Sequence, residues 1–166
     1  MFEVLVFVYE NYYAGEDCPE PAHLQRKLAA VGFDAEEIDD ALIWLKGLQL
    51  AAQSGVPMAD TPASAAPATV WLQQPQLSSV RIYPSFEQNH LGVHCLGFIS
   101  FLESAGCLPA HMRELVIDRA MAAPGSPVSL EDLKIIILMV FWSLGQEPDA
   151  LILDELCDHD EKRVAH

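Results

Sequence analysis

The segment that most constrains the fold lies near the carboxyl end, where every residue from Ile135 to Trp142 is apolar. Ser129 and Asp132 precede this run at the spacing of a capping box, and Gly145 follows it, so the pattern predicts a helix from about residue 130 to 145. A helix that is apolar on every face must be covered on every side. We therefore expect the other helices of the chain to pack around this one.

Residues 1–51 predict a three-helix unit. Apolar side chains recur at three- and four-residue steps from Phe2 to Tyr13, although the valines of this stretch would also suit a strand. A second helix is predicted from about Glu20 to Val31. The third should begin after Asp34, with Glu37 completing a capping box. Its buried stripe is predicted to comprise Ile38, Ala41, Leu42, Leu45 and Leu48.

A change of composition separates this unit from the rest of the chain. Residues 52–69 are rich in Ala, Pro, Ser and Thr and lack a periodic apolar pattern, which is typical of a flexible linker. Because large apolar side chains are few there, little offsets the entropy of ordering, and we expect proteases to cut this segment first. The sequence thus predicts two helical units, at 1–51 and 70–166, the second ending in an acidic tail.

The second unit opens with a short extended segment, Val80 to Tyr83, which Pro84 ends. Val70 to Leu72 is a candidate partner strand, so the sequence allows one small β-hairpin between the two units. Further helices are predicted from Ser85 as a cap, from about Val93 to Ser104, and from Pro109 or Ala110 to about Ala122. The fold class expected is an all-α helical bundle.

Charge restricts the partners of such a chain. Its 24 acidic and 9 basic residues give a net charge of −15, and the acidic excess extends over both halves. Phosphate backbones are held mainly by Lys and Arg, so an acidic body repels nucleic acid and attracts basic proteins. The sequence has two apolar runs, one that ends at Val8 and one from Ile135 to Trp142, and both are far shorter than the roughly 20 residues needed to cross a bilayer. The four cysteines form no C-x-x-C pair. A soluble cytoplasmic protein with reduced thiols is the expectation.

Histidine and cysteine come close to a metal-ligand pattern at five positions: His90, His94, Cys95, Cys107 and His111. Two such pairs could meet at a tetrahedral zinc. However, no glutamate lies between the first two histidines, and Gly92 would break the helix that must align them. No nucleophile elbow, phosphate loop or dinucleotide fingerprint occurs elsewhere. We expect no metal, no cofactor and no enzymatic activity.

Charged residues supply the candidate interaction surface. On the helix predicted from Pro109 or Ala110 to about Ala122, Arg and carboxylate alternate, and this alternation favours either a polar helix surface with weak ion pairs or a recognition surface with arginine anchors. Arg81 and Tyr83 alternate with apolar residues along a segment that is either an exposed edge or clamped to its own helices. Acids of the third helix lie mostly off its apolar stripe. The candidates are Arg81, Tyr83, Arg113, Glu114, Asp118, Arg119, Glu36, Glu37, Asp39 and Asp40.

Several segments resemble one bacterial family. FEVLVFVYENYY at 2–13, VRIY at 80–83, GFISFLESAG at 97–106, RELVIDRAM at 113–121 and SLEDLKIIILMV at 129–140 are similar to the Smg proteins. The resemblance implies a small cytoplasmic protein of undefined biochemical function, often encoded near DNA-processing and topoisomerase genes. Residues 24–45 also resemble the helix-turn-helix-like units of RecX regulators or a ubiquitin-associated module, which bind proteins as often as nucleic acid.

Two hypotheses of function follow. The first is a non-enzymatic protein-interaction or regulatory module with one or more protein partners, among them a basic one. It is motivated by strong helical amphipathicity and acidic surfaces without catalytic signatures. The alternative is an accessory protein of DNA or RNA metabolism that touches nucleic acid directly.

Overall fold

All the regular structure described is helical. The computed structural model describes residues 1–12, 21–54 and 81–146, together with positions 148, 152 and 156. Within these ranges no strand occurs. The all-α class is therefore confirmed. The helices are α1 (Phe2–Tyr12), α2 (Pro21–Val31), α3 (Ala35–Ser54), α4 (Ser85–Ser104), α5 (Ala110–Met121) and α6 (Leu130–Ser143).

Helix α6 is the centre of the fold, as its apolar sequence predicts. It contacts α1, α3, α4 and α5, and all six residues from Ile136 to Phe141 are buried. Its start is also as predicted, because the Ser129 hydroxyl accepts a hydrogen bond from the Asp132 amide at 3.1 Å. Of the helices described, none combines the length and the apolarity that crossing a membrane requires.

The amino-terminal helices share this core. Residues 2–12 form a helix rather than a strand and pack on both α3 and α6. Helix α2 lies on α3, and α3 also contacts α5. Helix α3 extends to Ser54, three residues past the predicted end of the first unit, whereas the remaining linker residues, 55–69, lie outside the described ranges. The division into two units with a flexible linker stays a prediction.

The start of α3 differs from the prediction in one detail. Asp34 does cap the helix, since its Oδ1 accepts a hydrogen bond from the Glu36 amide at 3.4 Å. Glu37 does not complete the capping box. Its carboxylate lies 3.5 Å from the amino group of Met1 instead, because α1 packs alongside α3 and brings that cation within reach.

Helix α4 joins two segments that were predicted as separate helices. Gly92 has φ 70° and ψ 170°, which kinks the helix as expected for a glycine at this position. The prediction of Ser85 as cap was wrong by one residue. Pro84 is the N-cap, because its carbonyl already accepts the Gln88 amide at 3.0 Å. At the kink, the His90 carbonyl accepts a hydrogen bond from the Val128 amide at 2.8 Å.

The β-hairpin is not supported. Residues 81–84 form no strand, although Pro84 has extended backbone angles of φ −63° and ψ 158°. The Tyr83 carbonyl accepts a hydrogen bond from the Gln88 side chain at 2.6 Å, and the Arg81 side chain is bonded to carboxylates of α4 and α5, so this segment is held against its own helices. The predicted partner arm, 70–72, lies outside the described residues.

Candidate interaction surfaces

Arg81 joins the extended segment to two helices. Its Nη1 and Nη2 donate to the two carboxylate oxygens of Glu87 on α4, at 2.6 and 3.0 Å. Its Nε donates to both oxygens of Glu114 on α5, at 2.9 and 3.1 Å. Only 18% of the Arg81 side chain and 10% of the Glu87 side chain are exposed. The guanidinium is thus a bidentate link inside the fold rather than a projecting anchor.

Arg113 extends the same network. Its Nε and Nη2 donate to Glu114 Oε1 at 2.9 and 2.7 Å, and its Nη1 contacts the carboxylate of Glu103. Partial burial alone would raise the pKa of Glu114, but the hydrogen bonds from Arg81 and Arg113 outweigh it and lower that pKa. We call the five residues Arg81, Glu87, Glu103, Arg113 and Glu114 the ion cluster.

Tyr83 lies beside the ion cluster. Its ring packs under the Arg81 guanidinium, whose central carbon is 4.5 Å from the ring centroid. The hydroxyl is buried and has no hydrogen-bond partner among the described residues, and burial raises the pKa of this phenol. The structure therefore brings Arg81, Tyr83, Arg113 and Glu114 together, as a clamp that holds residues 81–84 on α4 and α5.

Asp118 and Arg119 belong to a different contact. Arg119 Nε and Nη2 donate to Asp118 at 2.9 and 2.6 Å, and the Arg119 guanidinium lies against Gly47 of α3. A Cβ at Gly47 would overlap Arg119 Nη1, so the glycine makes room for the arginine. The Trp44 indole donates to the Arg119 carbonyl at 3.0 Å. These residues join α3 to α5.

The acids of α3 are arranged differently. Glu36, Asp39 and Asp40 are exposed, and Glu37, beside the Met1 amine, is partly buried. Asp39 accepts a hydrogen bond from the Gln25 side chain of α2 at 3.2 Å. These carboxylates face outward, unlike the arginines predicted with them.

Sequence reasoning missed the apolar part of this outward side. Ile43 is 71% exposed and Leu50 is 57% exposed, whereas Ile38, Ala41, Trp44 and Leu48 of the same helix are buried. The signal was present, because Ile43 and Leu50 lie seven residues apart and off the predicted buried stripe. We call the exposed row along this side the outer stripe: Glu36, Asp39, Ile43, Lys46, Leu50 and Gln53.

The five histidines and cysteines do not meet. His90 Nε2 lies 3.1 Å from the Ala120 carbonyl, and the buried Cys95 thiol donates to the Val128 carbonyl at 3.4 Å. His94 and His111 are exposed, and Cys107 is partly buried. Within the described ranges, no group of three or more His, Cys, Asp or Glu side chains could hold a metal ion. The absence of a metal stays a prediction for the whole chain.

A cleft of about 380 Å³ lies at the α4 kink, between Gly92 and the loop that precedes α6. His94 is the titratable side chain in its lining. Burial raises the pKa of the nearby Cys95 to about 11, so this thiol is protonated at neutral pH. The cleft therefore lacks a nucleophile and base pair of the kind that thiol catalysis uses.

Comparison with known proteins identifies the family. The family model described as "Protein of unknown function (DUF494)" matches residues 1–166. Curated relatives named "Protein Smg homolog" are 54% identical in Methylibium petroleiphilum, 55% in Leptothrix cholodnii and 48% in Bordetella petrii, each over 166 residues and the full length of both chains. No solved structure matches. The chain therefore belongs to the DUF494 family, which includes the Smg proteins.

Proposed function

We propose that this chain is a non-enzymatic protein-interaction module of the bacterial cytoplasm and that the outer stripe of α3 is its docking surface. The observation that carries the proposal is the 71% exposure of Ile43 on a helix whose opposite side is packed into the core. Burying such a side chain fully contributes about 1.5–3 kcal/mol. Since single exposed apolar residues are common on protein surfaces, the charges around Ile43 must supply the specificity.

Those charges favour a basic partner. Glu36, Asp39 and Asp40 are exposed within two turns of Ile43, and the whole chain carries −15. This field accelerates encounter with a basic protein at low salt and weakens as ionic strength rises. An apolar side chain beside exposed carboxylates suits a partner that presents cations around an apolar residue.

The arginines support a protein partner over the alternative, direct binding of nucleic acid. Arg81, Arg113 and Arg119 each donate to carboxylates of this chain, so their guanidinium groups are already neutralised locally. Phosphate binding depends on such groups being available on one face. We therefore expect no retention of duplex or single-stranded nucleic acid at physiological salt in a mobility-shift assay.

The side chains suited to catalysis also support a non-enzymatic role. The Cys95 thiol is buried and has a raised pKa of about 11, and the His90 ring contacts the backbone carbonyl of Ala120. Neither is arranged as an activated nucleophile or a general base.

The test is site-specific photocrosslinking in cells. A benzophenone amino acid replaces Ile43 in one full-length variant and Val93 in a matched control. Val93 is also apolar, is 76% exposed, and lies on α4. We expect a protein adduct from position 43 that is absent from position 93 and is reduced when Asp39→Lys and Asp40→Lys are added. The adduct should contain a protein of basic isoelectric point.

Two results would overturn the proposal. One is an equal pattern of adducts from both positions, which would show that α3 has no specific partner. The other is submicromolar binding of nucleic acid by the isolated protein, which would establish the alternative function instead.

A further inference from the structure

The outer stripe of α3 has the residue spacing of a helix-helix seam. Its six residues follow one another at steps of three, four, three, four and three, and all six are exposed. Steps that alternate between three and four place side chains along one line of a helix, as in coiled coils. An inner row has the same alternation: Ile38, Ala41, Leu48 and Ala52 are buried, and the partly buried Leu45 packs against the core. Helix α3 therefore presents two seams, and the described helices fill the inner one.

From this spacing we infer that the proposed partner docks on the outer stripe as a basic amphipathic helix. The inference rests on the proposed function and specifies the partner's secondary structure and charge. The stripe extends over the 18 residues from Glu36 to Gln53, or about 25 Å of helix. A straight row of exposed side chains of that length, with apolar and charged members, fits the face of another helix. Strand addition needs an exposed sheet edge, which α3 cannot offer because its backbone groups bond within the helix.

The order of charges along the stripe specifies the partner further. Glu36 and Asp39 occupy the amino-terminal part, Asp40 flanks them, and the apolar Ile43 and Leu50 lie on either side of Lys46. The partner helix should carry Lys or Arg opposite the acids and apolar side chains opposite Ile43 and Leu50. A neutral or acidic residue should face Lys46.

A second copy of this chain fits the stripe less well. Each copy brings a net charge of −15, so close approach of two copies is opposed by repulsion over the whole surface. A basic helix gains from the same field. Charge complementarity therefore selects a basic helix over self-association.

The experiment measures binding of two synthetic 18-residue peptides to the full-length protein by fluorescence anisotropy at physiological salt. One peptide has Leu at the three-four spacing of a seam and Lys or Arg at the flanking positions. The other has the same composition in scrambled order. We expect at least tenfold tighter binding of the first, since only that peptide presents an apolar line between its cations.

Two protein variants with the same charge change then locate the site. Ile43→Asp should weaken binding of the seam peptide at least tenfold, whereas Val93→Asp should change it less than twofold. Circular dichroism establishes that both variants are folded, which is expected because both positions are exposed. Equal loss in the two variants, or equal binding of the two peptides, would overturn the inference and leave only non-specific attraction between a basic peptide and an acidic protein.

The outcomes distinguish this inference from the proposed function. A crosslink at position 43 without discrimination between the peptides would retain the docking surface but overturn a helical partner. Absence of a specific crosslink would overturn the docking surface itself. A dimer in analytical ultracentrifugation that Ile43→Asp dissociates would identify a second copy as the occupant and contradict a basic helix.

Discussion

The ion cluster and the outer stripe of α3 use charge in opposite ways. In the ion cluster, carboxylates and guanidinium groups from residues 81–114 bond to one another and hold an extended segment on two helices. On the outer stripe, carboxylates are exposed beside an apolar side chain that the fold leaves outside. Charged side chains that pair with one another stabilise the fold, whereas exposed carboxylates determine the electrostatic potential at the surface that a partner approaches. Variants that separate stability from association test this contrast.

The largest effect on stability is expected for Arg81→Ala. This change leaves Glu87 with 10% exposure and without its bidentate partner, which should lower the free energy of unfolding by about 2–3 kcal/mol. Urea denaturation at pH 7 measures the change. Arg26→Ala, which removes an exposed arginine on α2, is the control and should cost less than about 0.5 kcal/mol. Equal midpoints for the two variants would show that the ion cluster is not a clamp.

The contact between Arg119 and Gly47 should show coupling of about 1 kcal/mol in a double-mutant cycle. Gly47→Ala favours the helix by about 0.5–1 kcal/mol, but its Cβ displaces the Arg119 guanidinium. In an Arg119→Ala background that obstacle is gone, so the same change should stabilise the protein. Thermal or urea unfolding of the four proteins provides the cycle. Additive effects would mean that the guanidinium moves away from α3 at no cost.

The ion cluster should also make stability depend on pH through Glu114. Its pKa in the folded protein is below the ordinary value of 4.5, so its contribution is fully present above that value and is lost as pH falls through the folded pKa. Wild type should therefore lose more stability than Glu114→Gln as pH falls below about 4.5. Urea midpoints between pH 7 and 3 test this. Parallel pH profiles for the two proteins would argue against the lowered pKa.

The smallest effect on stability is expected on the outer stripe. Asp39→Lys and Asp40→Lys should each cost less than about 1 kcal/mol, mainly through the unfavourable interaction with the α3 dipole. The same variants should slow association with the proposed basic partner and reduce its dependence on salt, which stopped-flow fluorescence with the seam peptide can measure. A large loss of stability would show that Asp39 and Asp40 stabilise the fold, as the residues of the ion cluster do.

The sequence predicts the helices better than it predicts the contacts between charges. The central position of α6 follows from an apolar run that any fold must cover, and the Ser129 cap follows from local chemistry. By contrast, Arg81 and Glu114 are 33 residues apart, and their pairing depends on how α4 and α5 pack. Glu37 bonds to Met1 rather than to its own helix end for the same reason.

The candidate site was predicted in part. The sequence shows which side chains are charged and able to form ion pairs. It does not show whether each one pairs with a residue of the same chain or with another protein. Arg81 and Tyr83 were predicted as one feature, and Arg113 and Glu114 as part of another. The structure brings the four together, but Arg81, Arg113 and Glu114 bond to one another rather than to a partner. Ile43 could have been found from its spacing to Leu50, although its exposure becomes evident only when the opposite side of α3 is packed.

The kink at Gly92 has a consequence for how this sequence can change over evolution. In a straight helix, Glu87 and Glu103 would be about 24 Å apart, but here two arginines and Glu114 link their carboxylates into one cluster. An L-residue at φ 70° would be strained, so a substitution of Gly92 would favour a different backbone between the segment that carries Glu87 and the segment that carries Glu103. Because Gly92 lies between Glu87 and Glu103 on α4, we expect relatives that replace this glycine to replace residues of the ion cluster as well.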